Sequence, residues 1–367
     1  MSVTAASGCR VERLDASAYT IPTDAPESDG TMEWDSTTIV VVEAHAGGHA
    51  GLGWTYGPAA IGTLVEGMLA GAVRDRDPLD VPGAWAAMVG AVRNAGPWGL
   101  AMYAIAAVDV ALWDLKARLL DVALCRLLGR RRPAVEIYGS GGFTSYSDEQ
   151  LSEQLGGWAS QGIGRVKLKV GRDHTADPHR VAVAREAVGP DVELMVDANG
   201  AWSPERALAM AHVFAEEHGV RWLEEPVSSD DVAGLRRVRE GAPAGMAIAA
   251  GEYATDAYGF ARLVDAVDVL QADATRCGGI TGFLQADAVC AAHNRDLSAH
   301  CAPNLAVHPM AAAQRGRHIE YFHDHDRIER LLFDGVLDPS DGALTPDAER
   351  PGLGLEFKRA DAERYAV

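Results

Sequence analysis

Polar and apolar positions alternate strictly through "VKLKVG", so Val166, Leu168 and Val170 share one face of a strand and Lys167 and Lys169 share the other. That is the mark of a half-buried strand, and it recurs. From about Val135 the chain repeats strand, loop and helix, with strands expected at "AVEIYGS", "RVKLKVG", "ELMVDAN", "VRWLEEP", "MAIAAGE", "DVLQADA", "DLSAHCA" and "HIEYF". Between them lie helical stretches such as "SPERALAMAHVFAEEHG", with Ser203 as N-cap, Pro204 in the first turn and Gly219 as the stop. About eight such repeats predict a parallel sheet closed into a (β/α) barrel. The earlier part reads as a separate α+β unit. "TTIVVVEAHAGG" (Thr37 to Gly48) is strand-like up to its glycines, and Met102 to Leu120 forms a long apolar helix.

Composition narrows the class without changing the picture. The 367 residues are 48% hydrophobic and 23% charged, as in soluble globular proteins, and imply about two domains. A net charge of −19 with no basic tract argues against nucleic acid or an anionic membrane as a partner. Five cysteines (Cys9, Cys125, Cys277, Cys290, Cys301) lack CxxC spacing, so neither a disulfide framework nor a zinc knuckle is indicated, and a cytoplasmic setting with reduced thiols is expected. The N-terminal residues lack a signal-peptide pattern and no apolar run reaches membrane-spanning length, so neither export nor anchoring is predicted.

In a barrel of this kind, side chains at the C-terminal ends of the strands meet at one mouth. Here those positions are unusually charged: Lys167 and Lys169, then Asp197 with Asn199 on the same face, Glu224 and Glu225, Glu252, Asp273, His300 and Glu320. Each lies about one βα unit beyond the last. By strand parity Trp222 shares a face with Glu224, Ile248 and Ala250 with Glu252, and Ser298 with His300.

Three carboxylates in register, Asp197, Glu224 and Glu252, repel one another unless a hard cation lies among them, and an all-oxygen donor set suits Mg²⁺. Two ammonium groups about 6 Å apart along a strand disfavour each other's protonation, which predicts a lysine acidic enough to act as a base. Asp273 is placed to orient His300 and raise its basicity. A metal between two bases fits removal of the proton next to a substrate carboxylate, with the resulting enediolate stabilised by the metal. Glu320, if protonated, offers a hydrogen bond to the same carboxylate.

These residues resemble those of the enolase superfamily, and within it the mandelate racemase subgroup: the KxK pair, the series Asp197, Glu224, Glu252, the Asp273 and His300 dyad, and Glu320. The resemblance spans nearly the whole chain. It implies an α+β capping domain (1–130), a modified (β/α)7β barrel of the TIM type (131–340) and a C-terminal tail (341–367) that returns to the cap. It assigns Lys169 to one face of the substrate's α-carbon and His300 to the other, with Lys167 tuning Lys169 and touching the carboxylate. In "WLEEP" it makes Glu224 the metal ligand rather than Glu225. Members with this set include dehydratases of acid sugars and racemases or epimerases of α-hydroxy acids. Dehydratases are the more common, so dehydration to a 2-keto-3-deoxy acid is the first expectation and racemisation the second. The family also implies self-association into a homo-oligomer, and specificity from two cap loops, here about residues 19–34 and 46–57. Trp34, Trp54 and Tyr56 are the expected wall residues. The first loop carries no lysine or arginine, which favours a substrate with a single carboxylate.

Other readings carry less. A non-catalytic ligand-binding barrel would tolerate loss of some ligands, and all are present. "GLGWTYG" is no dinucleotide-binding turn, since no helix pattern follows it. His318, His323 and His325 lack fixed spacing, so a solvated loop is expected there rather than a metal site.

Overall fold

The computed structural model describes residues 8–367. Strands β1 (Arg13–Ser28), β2 (Glu33–Ala46) and β3 (His49–Tyr56) form an antiparallel sheet in the order β1-β2-β3. The long apolar helix, Leu100–Leu119, lies across β2 and β3. Its backbone comes so close that a Cβ at Gly53 would fall 2.2 Å from the carbonyl oxygen of Ala107. A helix this apolar needs burial on most sides, and it has β3 on one flank and helix Gly279–His293 of the barrel on another.

Eight parallel strands follow: β4 (Val135–Gly141), β5 (Arg165–Lys169), β6 (Glu193–Asp197), β7 (Trp222–Glu224), β8 (Ala247–Ala250), β9 (Val269–Ala272), β10 (Asp296–Ala299) and β11 (Gly316–Phe322). β11 pairs with β4, Glu320 opposite Tyr138, and so closes the barrel. Among the described residues each successive pair of barrel strands is joined through one α-helix, as a (β/α)7β plan requires. Helix Pro204–His218 shows the expected local chemistry: the Ser203 side chain caps Arg206 N–H, and Gly219 ends the helix at φ 66°. The tail adds a short strand, Ala343–Leu344, antiparallel to β4, pairs Glu356–Phe357 with Phe333–Asp334, and reaches the cap where Val367 N–H donates to Ala18. No helix of the described residues is long and apolar enough to cross a membrane.

The two expected loops are in fact largely strand. Between Tyr19 and Trp34 the chain stays extended to Ser28, with an irregularity between Pro22 and Glu27, and turns only at Asp29 to Met32. The tip of this hairpin docks on the barrel: Thr144 N–H donates to Ser28 O, and a Cβ at Gly30 would lie 2.5 Å from Ala198 O. In the second segment Gly47 and Gly48, with φ of 56° and 77°, make a tight two-residue turn, after which the chain is strand again. Trp54 therefore pairs with Val41 and is wholly buried, its ring 4.7 Å from that of Phe333. It does not wall the pocket.

Candidate active site

Alternation along β5 delivers Lys167 and Lys169 into the barrel while Val166 and Leu168 pack outward. On β6 Asp197 follows Met195 inward, and on β7 Glu224 follows Trp222, whose indole N–H donates to Glu224 Oε2 at 2.9 Å. Parity fails at β8. Ile248 and Ala250 pack in the main core and Ala249 joins the cluster inside the barrel, so Glu252 arrives by a different device than alternation. Gly251, at φ 136°, turns the chain, and a Cβ there would strike Gln271 O at 2.3 Å.

One ligand atom from each of Asp197, Glu224 and Glu252 lies within 4.8 Å of the other two, and all three residues are buried. Lys169 Nζ is 2.7 Å from Asp197 Oδ2; Lys167 Nζ is 2.5 Å from Glu224 Oε1 and 2.7 Å from Glu320 Oε1. Across the mouth, His300 Nδ1 meets Asp273 Oδ2 at 2.7 Å. The other oxygen of Asp273 accepts from Thr275 N–H and Oγ1, each at 2.7 Å. An acceptor so placed fixes the tautomer and leaves His300 Nε2 to face Glu252 Oε2 at 3.3 Å. Lys169, Asn199, Glu252, His300 and Glu320 line one cavity of about 380 Å³, and Trp34 and Tyr56 close it from the cap.

The charges differ from expectation at two points. Burial is the largest single influence on Lys169 and would lower it, and Lys167 pushes it down as well, yet the carboxylates of Asp197, Glu320 and Glu252 together lift it above the ordinary lysine value. Mutual lysine repulsion is therefore the weaker influence. Burial would raise Glu320, but Lys167 and then His300 hold it well below the usual carboxylate range, so it is a carboxylate here and not the expected neutral donor. Burial and the neighbouring Asp197 push Glu224 up to about 8, whereas burial of Asp197 is overcome by Lys169 and Lys167, which hold it at about 2.

A divalent cation fits this arrangement. Glu252 Oε2 and Asn199 Oδ1 are buried without a hydrogen-bond partner, and the three converging carboxylates offer only oxygen. Glu225, at φ 35°, is outside the trio; its Oε1 is likewise unpartnered, and burial beside Glu252 raises it well above the carboxylate range.

Sequence reasoning missed several cavity residues. Arg276 donates to Glu252 Oε1 at 3.0 Å and lies over the Tyr253 ring; its spacing of three after Asp273 was the available signal. The thiol of Cys301 sits 3.4 Å from His300 Nε2. Asp29, Thr37 and Thr38 enter from the hairpin. The expectation of a solvated histidine loop fails. His318 is on β11 inside the barrel, bonded to Ser298 Oγ; His325 is buried, stacked on Tyr56 and lines the cavity; only His323 is partly open to solvent. Burial lowers His325 to about 3, so it is neutral, and since its Nδ1 accepts from Ala302 N–H, its proton is on Nε2.

Known proteins share both units. Residues 19–129 match the mandelate racemase/muconate lactonizing enzyme N-terminal domain, and 150–362 match the enolase C-terminal domain-like model. A mandelate racemase/muconate lactonizing enzyme-like protein from Rubrobacter xylanophilus superposes with TM-score 0.96 at 57% identity, over 98% of this chain and 100% of that one. A racemase from Streptomyces coelicolor with bound magnesium superposes with TM-score 0.91 at 31% identity, over 97% and 100%. L-talarate/galactarate dehydratase of Salmonella typhimurium is 32% identical over 96% of this chain and 90% of its own length. The chain is an enzyme of the enolase superfamily and belongs to its mandelate racemase/muconate lactonizing enzyme family.

Proposed function

We propose that the protein removes the α-proton of a small carboxylate substrate and, with an acid sugar, expels the β-hydroxyl to leave a 2-keto-3-deoxy acid. The observation that carries this reading is the placing of Lys169 and the Asp273-held His300 on opposite sides of the Asp197, Glu224 and Glu252 trio. Those three residues would hold Mg²⁺, which when bound supplies Lewis-acid stabilisation of negative charge developing on the substrate carboxylate.

With Asp197 engaged by the cation, the ion pair that keeps Lys169 charged would be relieved, and Lys169 Nζ, with Lys167 beside it to disfavour a second charge, would take the α-proton on one face as the neutral amine. The imidazolium of His300 passes its Nε2 proton to the departing hydroxyl, which leaves as water, while Asp273 keeps the ring in place. Lys167 and Glu320 border the carboxylate end, with Asn199 nearby, and Trp34 and Tyr56 wall the rest. The hairpin contributes hydroxyls and Asp29 but no cation to the cavity, and Arg276 is engaged by Glu252 and Asp273, which supports a substrate with one carboxylate. The cap (1–130), barrel (131–340) and tail (341–367), and assembly as a homo-oligomer, belong to the same proposal.

Racemisation is the second reading, supported because a proton delivered by His300 to the α-carbon instead of the leaving group needs no other residue. Proton NMR with Mg²⁺ in D₂O over pools of acid sugars and α-hydroxy acids separates the two. New 3-deoxy methylene signals establish dehydration; loss of the α-proton signal with an unchanged carbon skeleton establishes racemisation or epimerisation. Unchanged spectra in every pool refute both.

A further inference from the structure

A second cluster of metal-ligating side chains lies outside the barrel. Asp24 and Glu27 sit on the irregular outer part of β1, and His323 is the first residue of helix His323–Leu332, directly after β11. One oxygen from each carboxylate and one nitrogen of His323 lie within 4.8 Å of one another. His323 Nε2 is already 2.9 Å from Asp24 Oδ2.

Glu27 is the unusual member. It is 1% exposed, its Oε2 takes the Trp34 indole N–H at 2.7 Å, and its Oε1 is buried with no partner. The adjacent cation makes no ion pair with it: Arg327 Nη2 donates to Asp324 Oδ1 and to Pro22 O, and Arg327 Nε is buried without a partner of its own. Asp324 in turn accepts from Thr37. A buried carboxylate oxygen with neither hydrogen bond nor ion pair carries a free-energy cost that a ligand there would remove. The opposite side is open, with the His323 and Asp24 side chains 25% and 47% exposed, so an ion has a route in and room for water.

We propose that Asp24, Glu27 and His323 form a second divalent-cation site, of the kind that takes Zn²⁺, pinning the cap hairpin to the last barrel helix beside the mouth. One imidazole and two carboxylates match zinc, which accepts nitrogen and oxygen together, better than Mg²⁺, which keeps to oxygen. The consequence reaches the cavity through Glu27, because the Trp34 it holds is a wall residue.

The test is diffraction from crystals of the whole protein grown with Mg²⁺ and then soaked in Zn²⁺, recorded on both sides of the zinc absorption edge. An anomalous peak among Asp24, Glu27 and His323, absent from the His323→Ala variant, is expected. Zinc found only at Asp197, Glu224 and Glu252, or only at His300, Cys301 and Glu320, or nowhere, overturns the site. The pinning is read by exchange of the backbone amides of Thr23, Asp24, Ala25, Glu27 and Ser28. At zinc one hundred times its Kd, opening in the native protein becomes about a hundredfold rarer, with no change in His323→Ala. Equal protection in both proteins, or in neither, overturns the pin.

Discussion

Two levels of one barrel interior make the most instructive contrast in this molecule. At the lower level Tyr138, Met195, Trp222, Ala249 and Val269 fill the lumen as an ordinary apolar layer. Two positions further along β4, β6 and β7 stand Ser140, Asp197 and Glu224, and just past the end of β9 stands Asp273, with the lysines of β5 beside them. Strand parity is common to both levels, so inward direction alone says nothing about role. What separates them is the cost of burying uncompensated charge, which the lower level avoids and the upper level carries. The lower level supports the fold; the upper level pairs most of its charges with one another and leaves Glu252 Oε2 and Asn199 Oδ1 buried without a partner.

Substitutions at the two levels should therefore fail in different ways. The largest expected effects are at the upper level: Lys169→Ala and His300→Asn each lower kcat by about 10²–10⁴-fold with little change in circular dichroism. Chelation of the metal abolishes turnover, and added Mg²⁺ restores it; turnover that survives chelation contradicts the division of labour. At the lower level Trp222→Ala costs about 3–5 kcal/mol in urea unfolding. Trp222→Phe keeps most of that stability but loses the indole bond to Glu224, and Mg²⁺ affinity falls roughly tenfold in a binding titration.

A smaller effect depends on pH. Glu329, wholly buried under Tyr56, is raised to about 8 by burial, above its ordinary 4.5. The folded state thus holds this proton more tightly than the unfolded chain does, so its contribution is complete below pH 4.5 and is lost as pH rises towards 8. The slope is up to about 1.4 kcal/mol per pH unit, and Glu329→Gln flattens it in urea titrations across that window. Smallest of all, Tyr56→Phe removes a long 3.3 Å hydrogen bond to Glu329, with an expected loss of about 0.5–1.5 kcal/mol.

Much of the upper level was legible in the sequence because alternation and one polar residue per repeat are local signals. Lys167, Lys169, Asp197 and Glu224 follow that logic directly. Glu252 arrives by the turn at Gly251, and alternation by itself places Ile248 and Ala250 on the wrong face. Protonation was the harder matter, since the charge on Lys169 and Glu320 depends on partners brought from other strands. The cap was misread for a related reason. Glycines mark where a chain turns, yet the tight turn at Gly47 and Gly48 returns it to a strand that buries Trp54. His325, distant in sequence from the cap, becomes a cavity residue only through its stacking on Tyr56.

The central claim is that two proton-handling groups face one α-carbon from opposite sides. It is tested most directly by following α-proton exchange in D₂O, with Mg²⁺, for both epimers of a turned-over substrate in the Lys169→Ala and His300→Asn variants. Each variant is expected to lose exchange from one epimer and retain it, at least in part, from the other, with opposite preference. If both variants lose or retain exchange from the same epimer, the two groups do not act on opposite faces and the account of the site is wrong.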